Sequence, residues 1–305
     1  MSRRLAIYCK SFRDDFNRLK NLIDSHQRHC ADIPMIVSVP VADIALLYDA
    51  FDVPAGVWIV ADESYAGDEN FSKYGWMYQQ ICKMSLSRLD FADSYFVIDS
   101  DSYFLKPLNE DVFVDRFGHL KIVASPISTR YWGENPLLDR YINGELVKTA
   151  PVPQISPLSK TSVVENLEIA RLAHKGNSSL VAGERRRYIS EIFNPETDRS
   201  LASLNWGPSP IFHTEILDEL EELIAPLGMN WRDLIYLSPW EYEWYGYFAV
   251  RTSQHPIVPV PSECIHFASE SDVSLAKEKG LSADGISKRF TAIAMASRHF
   301  DLTEF

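Results

Sequence analysis

Residues 95–105 read Tyr-Phe-Val-Ile-Asp-Ser-Asp-Ser-Tyr-Phe-Leu. The first four residues are aromatic or β-branched with no polar break, a pattern typical of a strand buried on both faces of a central sheet. Asp99 and Asp101 follow at the point where this strand should leave the core. Two neighbouring carboxylates repel each other at neutral pH unless a positive charge lies between them. The segment therefore predicts a central strand that ends at a cation site.

The two aspartates allow two interpretations. Hard oxygen ligands suit Mg²⁺ or Mn²⁺ better than Zn²⁺. Because Mg²⁺ is usually held by one or two carboxylates together with substrate phosphates, the pair indicates a ligand that carries phosphate. The alternative is a polar turn that closes the strand, since Asp and Ser favour turns.

The sequence before this segment alternates between short apolar runs and amphipathic helical patterns. Strands are predicted at residues 5–8, 35–39 and 57–61, and helices at residues 14–30 and 40–49. Such alternation implies a parallel sheet with right-handed crossovers. We therefore predict an α/β fold with a mostly parallel central sheet flanked by helices, in a single domain of residues 1–305. Near the C-terminus, residues 284–297 have the pattern of a closing helix.

Polar residues follow the predicted strands at their carboxyl ends, where open α/β sheets bind their ligands. These residues are Lys10, Ser11, Asp62, Asp99 and Asp101. We expect them to converge on one edge of the sheet.

A helix predicted at residues 75–89 places a second polar group beside this edge. Met77, Ile81 and Met84 share the face that should enter the core. A different face carries Trp76, Gln79, Gln80 and Lys83 at helical spacing. A lysine here would oppose the aspartates, whereas the alternative is a solvent-facing surface with an isolated tryptophan.

Composition excludes some classes of function. The 305 residues carry a formal net charge of -12, which argues against a nucleic-acid-binding surface. An acidic protein that binds an anionic ligand needs a metal or local cations. The cysteines, Cys9, Cys30, Cys82 and Cys264, lack metal-ligand spacing and fit free thiols of a reducing compartment. The apolar start is too short for a signal peptide, and no run reaches the ~20 apolar residues of a membrane span. A cytoplasmic protein is expected.

Two motifs flank the central segment: Gly75-Trp76-Met77-Tyr78-Gln79-Gln80-Ile81-Cys82-Lys83 and Phe104-Leu105-Lys106-Pro107. The arrangement resembles GT-A glycosyltransferases, and most closely a bacterial group with a Gly-Trp-x-x-Gln-Gln-x-x-Lys helix. The resemblance covers residues 5–107 and returns at residues 205–210, 240–246 and 266. It implies a Rossmann-like GT-A fold with a nucleotide-sugar-binding half (1–127). The acceptor-side half (128–305) would include a helical or irregular insertion (128–204).

The resemblance also implies a ligand set. Asp99 and Asp101 would hold Mn²⁺ or Mg²⁺ on the diphosphate of a nucleotide sugar, with His266 as a further metal ligand. A buried core histidine is the alternative for His266, and His255 is the other candidate ligand. Contacts to the donor are expected from Lys10, Ser11, Asp62, Trp76, Gln79, Gln80, Lys83, Ser100, Asn205 and Gly207.

Glu241 and Glu243 are the candidate catalytic carboxylates. Ser238, Pro239 and Glu241 have the spacing of a capping box, which would give Glu241 a local role at a helix start. Glu243 is then the predicted general base for an inverting reaction. It leads into Tyr245-Gly246, where the missing side chain of the glycine would let an acceptor approach. A retaining reaction would need no such base.

The resulting hypothesis is a metal-dependent glycosyltransferase with a nucleotide-sugar donor and a carbohydrate or glycolipid acceptor. The pathway expected by analogy is bacterial surface polysaccharide or glycoconjugate synthesis, in which the acceptor would bring the protein to a membrane surface. Two alternatives stay open: a phosphatase with an Asp-x-Asp nucleophile and a non-catalytic carbohydrate- or nucleotide-binding module. An EF-hand is excluded because Phe104 stands where the calcium loop requires glycine.

Overall fold

A computed structural model describes residues 4–67, 75–126, 157–174, 189, 191–193, 204–207, 209–267 and 269–295. The strands are β1 (Leu5–Lys10), β2 (Met35–Val39), β3 (Val57–Ala61), β4 (Ser94–Val97), β5 (Ser102–Phe104), β6 (Leu120–Val123), β7 (Ser125–Pro126), β8 (Leu204–Asn205), β9 (Ile211–His213), β10 (Ile257–Val260), β11 (Cys264–Phe267) and β12 (Ala292–Met295). The α-helices are α1 (Phe16–His29), α2 (Ile44–Ala50), α3 (Glu63–Ala66), α4 (Gly75–Met84), α5 (Lys160–His174), α6 (Thr214–Ile224), α7 (Trp231–Leu237), α8 (Glu241–Arg251), α9 (Glu270–Glu278) and α10 (Ala283–Ser287).

The central sheet has five strands in the order β3-β2-β1-β4-β9. The first four are parallel, and β9 pairs antiparallel with β4. In the middle of the sheet, Ile7 of β1 is aligned with Met35 on one side and Phe96 on the other. The predicted α/β class with a mostly parallel central sheet flanked by helices is confirmed.

Helices cover both faces of this sheet because side chains alternate along each strand. Ile7 and Cys9 of β1 join a core with Leu19 and Leu22 of α1. Ala6 and Tyr8 point to the other face and belong to the core that contains α4 and α6 to α8. Leu19 and Leu22 are fully buried, and each contributes about 2 kcal/mol by leaving water. The central sheet, with β1 in its middle, therefore lies between two layers of helices.

A second sheet meets the first at the carboxyl end of β4. The chain leaves β4, turns through Ser100 and Asp101, and enters β5. There β5 pairs antiparallel with β12, which pairs parallel with β11. The aspartates thus lie at the junction between the central sheet and a three-stranded sheet.

The predicted closing helix at residues 284–297 is wrong in its second half. Helix α10 ends at Ser287, and Ala292–Met295 form the buried strand β12. A continuous apolar run suits a buried strand as well as a helix, and pairing with β5 and β11 decides between them.

The expected acceptor-side insertion at residues 128–204 lies largely outside the described residues. Within it the structure describes α5, whose buried residues Val163 and Leu167 join the core beneath α6 to α8. None of the helices in the described ranges combines the length and the apolar character that crossing a membrane requires.

Candidate active site

The two predicted metal-binding aspartates flank a tight turn but differ in exposure. The Asp99 carbonyl accepts a hydrogen bond from the Ser102 N–H at 3.1 Å, which closes the turn. The Asp101 carbonyl accepts one from Met295 N–H at 3.1 Å, so β12 braces the turn from the second sheet. The Asp99 side chain is 52% exposed, whereas Asp101 is partly buried.

Asp101 lies in a site that disfavours its negative charge. Burial is the main cause that raises its pKa to about 7, and the charge of Asp99 is the second. Arg18 opposes this shift, while Asp15 adds to it. Since Arg18 is itself bonded to Asp15 at 3.2 Å, it compensates the aspartate pair only in part. A proton or a bound cation would relieve the remaining repulsion.

Lys83 is the cation that the protein places against Asp99. Its Nζ lies 3.1 Å from Asp99 Oδ1 and 3.2 Å from Glu241 Oε1. Gln79, one turn earlier on α4, donates from Nε2 to the same Asp99 oxygen at 2.9 Å. We call Lys83, Asp99 and Glu241 the Lys83 triad. It joins α4, the end of β4 and the start of α8.

Lys83 is buried, although the helix pattern had allowed a solvent-facing position. Only 5% of the residue is exposed. Burial alone would lower the pKa of Lys83, but the carboxylates of Asp99 and Glu241 outweigh it and raise the pKa. The ammonium therefore stays charged at neutral pH, with one positive charge facing two carboxylates.

The capping role predicted for Glu241 is wrong. Helix α8 starts at Glu241 itself, and Trp240 at the N-cap position receives no side-chain cap. Ser238 instead ends α7, and its carbonyl accepts a hydrogen bond from Trp244 Nε1 at 2.9 Å. Glu241 is 2% exposed, and burial raises its pKa while Lys83 lowers it. A buried ammonium without a partner destabilises the folded state more than a helix without a cap, which explains why Glu241 bonds to Lys83 and not to the helix start.

Glu243 lies on a different side of α8 from the Lys83 triad. It is 1% exposed, two positions after Glu241, so the two side chains point in very different directions. It shares its side with Gly246 and Tyr247, whose ring lies 5.3 Å from that of Trp206. The structure does not bring Glu243 and Glu241 to one atom, and the general-base role of Glu243 stays a prediction.

Gly246 serves packing and not acceptor access. A Cβ at this position would come within 2.2 Å of the Trp206 ring, which is 1% exposed. The space that the sequence analysis assigned to an acceptor is therefore filled by an indole. Gly207 has a looser environment, since a Cβ there would lie 3.5 Å from the Tyr242 ring. Asn205 belongs to β8, which pairs with β7.

Lys10, Ser11 and Asp62 lie close together at the predicted edge of the sheet, and they bond to one another. Lys10 Nζ lies 2.9 Å from Asp62 Oδ2 and donates to the Ser11 carbonyl. Ser38 donates to Asp62 Oδ1 at 2.7 Å and contacts the hydroxyls of Tyr8 and Tyr65. Burial raises the pKa of Asp62, and Lys10 opposes this. We call Lys10, Ser38, Asp62, Tyr8 and Tyr65 the Lys10 cluster.

Three further predicted residues have distinct surroundings. Gln80 is buried, and its amide donates to the Trp76 carbonyl at 3.0 Å within its own helix. Ser100 is buried and donates to Asp15 Oδ2 at 3.4 Å. His266 lies on β11, where burial lowers its pKa and Asp99 opposes the shift. Across the described part of the chain, no three His, Cys, Asp or Glu side chains form a ready metal-binding group.

A family model described as a family of unknown function, DUF6492, matches residues 5–256. The chain belongs to DUF6492. No curated protein matches it. A solved apo structure of WbbM, a bifunctional glycosyltransferase, is similar at 12% sequence identity with a TM-score of 0.45. That match covers 98% of this chain and 46% of WbbM, so the chain spans less than half of WbbM's length.

Several residues beside the candidate site of this DUF6492 member were not predicted from the sequence. Trp240 and Tyr242 form ring contacts beside the Lys83 triad, and only their adjacency to Glu241 in sequence could have indicated them. Asp15 and Arg18 surround Asp101 from the start of α1. Their position just after the end of β1, at the ligand-binding edge of a parallel sheet, was a usable signal.

Proposed function

We propose that this protein is a metal-dependent glycosyltransferase of the GT-A type. It would move a sugar from a nucleotide-sugar donor to a hydroxyl of a carbohydrate or glycolipid acceptor. The observation that carries the proposal is the Asp99–Asp101 turn at the carboxyl end of β4, with the buried Lys83 bonded to Asp99. A metal, a diphosphate and a lysine are the charges that such a turn can bring together.

Asp99 and Asp101 fit a divalent metal by their chemistry. Both offer hard oxygen ligands, and burial, followed by the charge of Asp99, raises the pKa of Asp101 to about 7. Two carboxylates leave most of the coordination to water and to diphosphate oxygens, which favours Mn²⁺ or Mg²⁺ in the presence of nucleotide. When bound, the metal would act as a Lewis acid that neutralises the departing nucleoside diphosphate.

Lys83 would supply the second positive charge for the diphosphate. In the structure it is held by Asp99 on one side and Glu241 on the other. When Asp99 binds a metal, Glu241 can keep the ammonium in the site. We therefore assign Lys83 to donor binding and Glu241 to positioning Lys83.

The acceptor hydroxyl loses a proton in an inverting reaction, and we retain Glu243 as the proposed base. A retaining reaction would leave Glu243 without this role. The bacterial polysaccharide or glycoconjugate pathway is proposed by analogy alone. A cytoplasmic location is supported by the four cysteines, all of which are free and buried.

The test is calorimetry with UDP, GDP, CDP and dTDP, each with Mn²⁺ and with EDTA. We expect one diphosphate to bind more tightly with Mn²⁺ and this gain to disappear in Asp101→Asn. Equal binding in both proteins, with or without metal, would refute the metal site. Release of nucleoside diphosphate from a nucleotide-sugar panel then separates a transferase from a binding module. Turnover of p-nitrophenyl phosphate would instead favour the phosphatase alternative.

A further inference from the structure

An aromatic group borders the Lys83 triad, and it includes Trp76, for which the sequence analysis had expected a donor contact that the proposed chemistry does not use. Trp76, on the first turn of α4, is 49% exposed. Its ring centroid lies 5.3 Å from that of Trp240, with the ring planes at 76°. Tyr242 continues the group, with its ring 5.8 Å from Trp240. We call these three residues the aromatic wall.

Two chain segments fix the wall beside the triad. Trp76 precedes Gln79 by three positions, so the two share a helix face with a rise of about 4.5 Å between them. Gln79 in turn donates to Asp99 at 2.9 Å. From the other side, Trp240 immediately precedes Glu241, which is bonded to Lys83. The exposed indole of Trp76 therefore lies about one helical turn from the side chain that holds Asp99.

The surface at the aromatic wall combines an apolar ring with polar groups. An exposed tryptophan alone is ordinary on a protein surface. Here, however, it adjoins an amide and a half-exposed carboxylate. A ligand that suits this place offers an apolar face to the indole and hydroxyl groups to the neighbouring amide.

We propose that the aromatic wall binds a pyranose ring of a carbohydrate acceptor. The apolar C–H face of the sugar would lie on the indole of Trp76, and its hydroxyls would reach the amide of Gln79. This inference deepens the proposed function and rests on it, because the bound sugar is an acceptor only if the protein is a glycosyltransferase. A nucleobase fits less well, because the near-perpendicular rings of Trp76 and Trp240 do not form a parallel slot for a flat base.

Saturation-transfer NMR tests the inference without donor or metal. The probes are the methyl α- and β-glycosides of glucose, galactose and mannose. Saturation of aromatic protons should transfer to ring C–H protons of at least one glycoside. The transfer should be lost in Trp76→Ala, and titration should show binding about tenfold weaker. The variant should fold normally, because the residue is half exposed.

Trp58→Ala is the matched control. Trp58 is 55% exposed and makes a similar edge contact with Phe91 at 5.7 Å, but it lies on the edge strand β3. The signal should persist in this variant. Transfer that is absent from the parent protein, that survives Trp76→Ala, or that disappears in Trp58→Ala would overturn the proposal.

Nucleotide titration with Mn²⁺ separates this inference from the proposed function. Trp76→Ala should bind the nucleoside diphosphate as the parent does, and loss of that binding would assign the wall to the donor and overturn the inference. If the parent binds no nucleotide but binds the glycosides through Trp76, the proposed transferase fails while the sugar site stands.

Discussion

Lys10 and Lys83 are two buried lysines with opposite surroundings. Both are less than a tenth exposed, and both have a carboxylate oxygen about 3 Å from Nζ. The partner of Lys10 is Asp62, which is 0% exposed and further bonded to Ser38. The partner of Lys83 is Asp99, whose side chain is 52% exposed. The first ion pair is closed to ligands, whereas the second opens to solvent.

The charge balance of the two groups differs as well. Lys10 and Asp62 neutralise each other one to one. Lys83 faces both Asp99 and Glu241, and Asp101 lies nearby with a raised pKa, so this region has an excess of negative charge. Sequence position alone had placed both lysines at the donor. We therefore expect Lys83, whose partner is accessible, to contribute to ligand binding, and Lys10 to contribute to stability alone.

Replacing Lys83 should have the largest effect, because it removes both stability and binding. Lys83→Met leaves Glu241 buried without its cation, which costs about 4 kcal/mol of unfolding free energy. Binding of nucleoside diphosphate should weaken by about 2 kcal/mol, the contribution of a charged hydrogen bond. Urea denaturation and calorimetry measure the two quantities. Normal nucleotide affinity in the folded variant would show that Lys83 is purely structural.

Replacing Lys10 should affect stability alone. Lys10→Met leaves Asp62 buried and unpaired, with a similar loss of about 4 kcal/mol by urea denaturation. Nucleotide affinity, measured where the variant is still folded, should equal that of the parent. A drop in affinity as large as that of Lys83→Met would return Lys10 to the donor site and remove the contrast between the two lysines.

Replacing Glu241 and Glu243 in turn tests whether Glu241 only positions Lys83 or is itself the general base. In Glu241→Gln the amide oxygen can still accept from Lys83, so transfer should fall by no more than about tenfold. Glu243→Gln should bind donor normally and lose transfer by ~10²–10⁴, the usual contribution of a general base. Initial rates with saturating donor provide the comparison. If Glu241→Gln shows the larger loss and Glu243→Gln the smaller, the two roles are reversed.

The smallest effect is a pH dependence in the Lys10 cluster. The folded-state pKa of Asp62 lies above its ordinary value of 3.8, chiefly through burial. The folded state therefore holds a proton that the unfolded state has released, and this contribution to stability is lost as pH rises through the folded pKa. Relative to the parent, Asp62→Asn should gain stability over that rise. A parallel pair of stability–pH curves would contradict the raised pKa.

Local sequence signals predicted the central sheet and the aspartate turn. Apolar runs such as Met35–Val39 give strands, and the polar residues after them mark the ligand-binding edge. Contacts between distant residues were not predictable in this way. Glu241 pairs with a lysine on α4 and Gly246 accommodates Trp206, and neither partnership leaves a periodic pattern. The strand β12 was mistaken for a helix for the same reason, since only its neighbours distinguish the two.

The brace on the aspartate turn has a consequence for shortened chains. The hydrogen bond from Met295 N–H to Asp101 comes from β12, whereas the family match ends at residue 256. The strand that braces the Asp101 end of the turn therefore lies beyond the residues that the family model matches. A truncation after residue 256 would remove β11 and β12 together and leave β5 as an unpaired edge. A DUF6492 relative without this tail would have to tether its aspartate turn by some other segment.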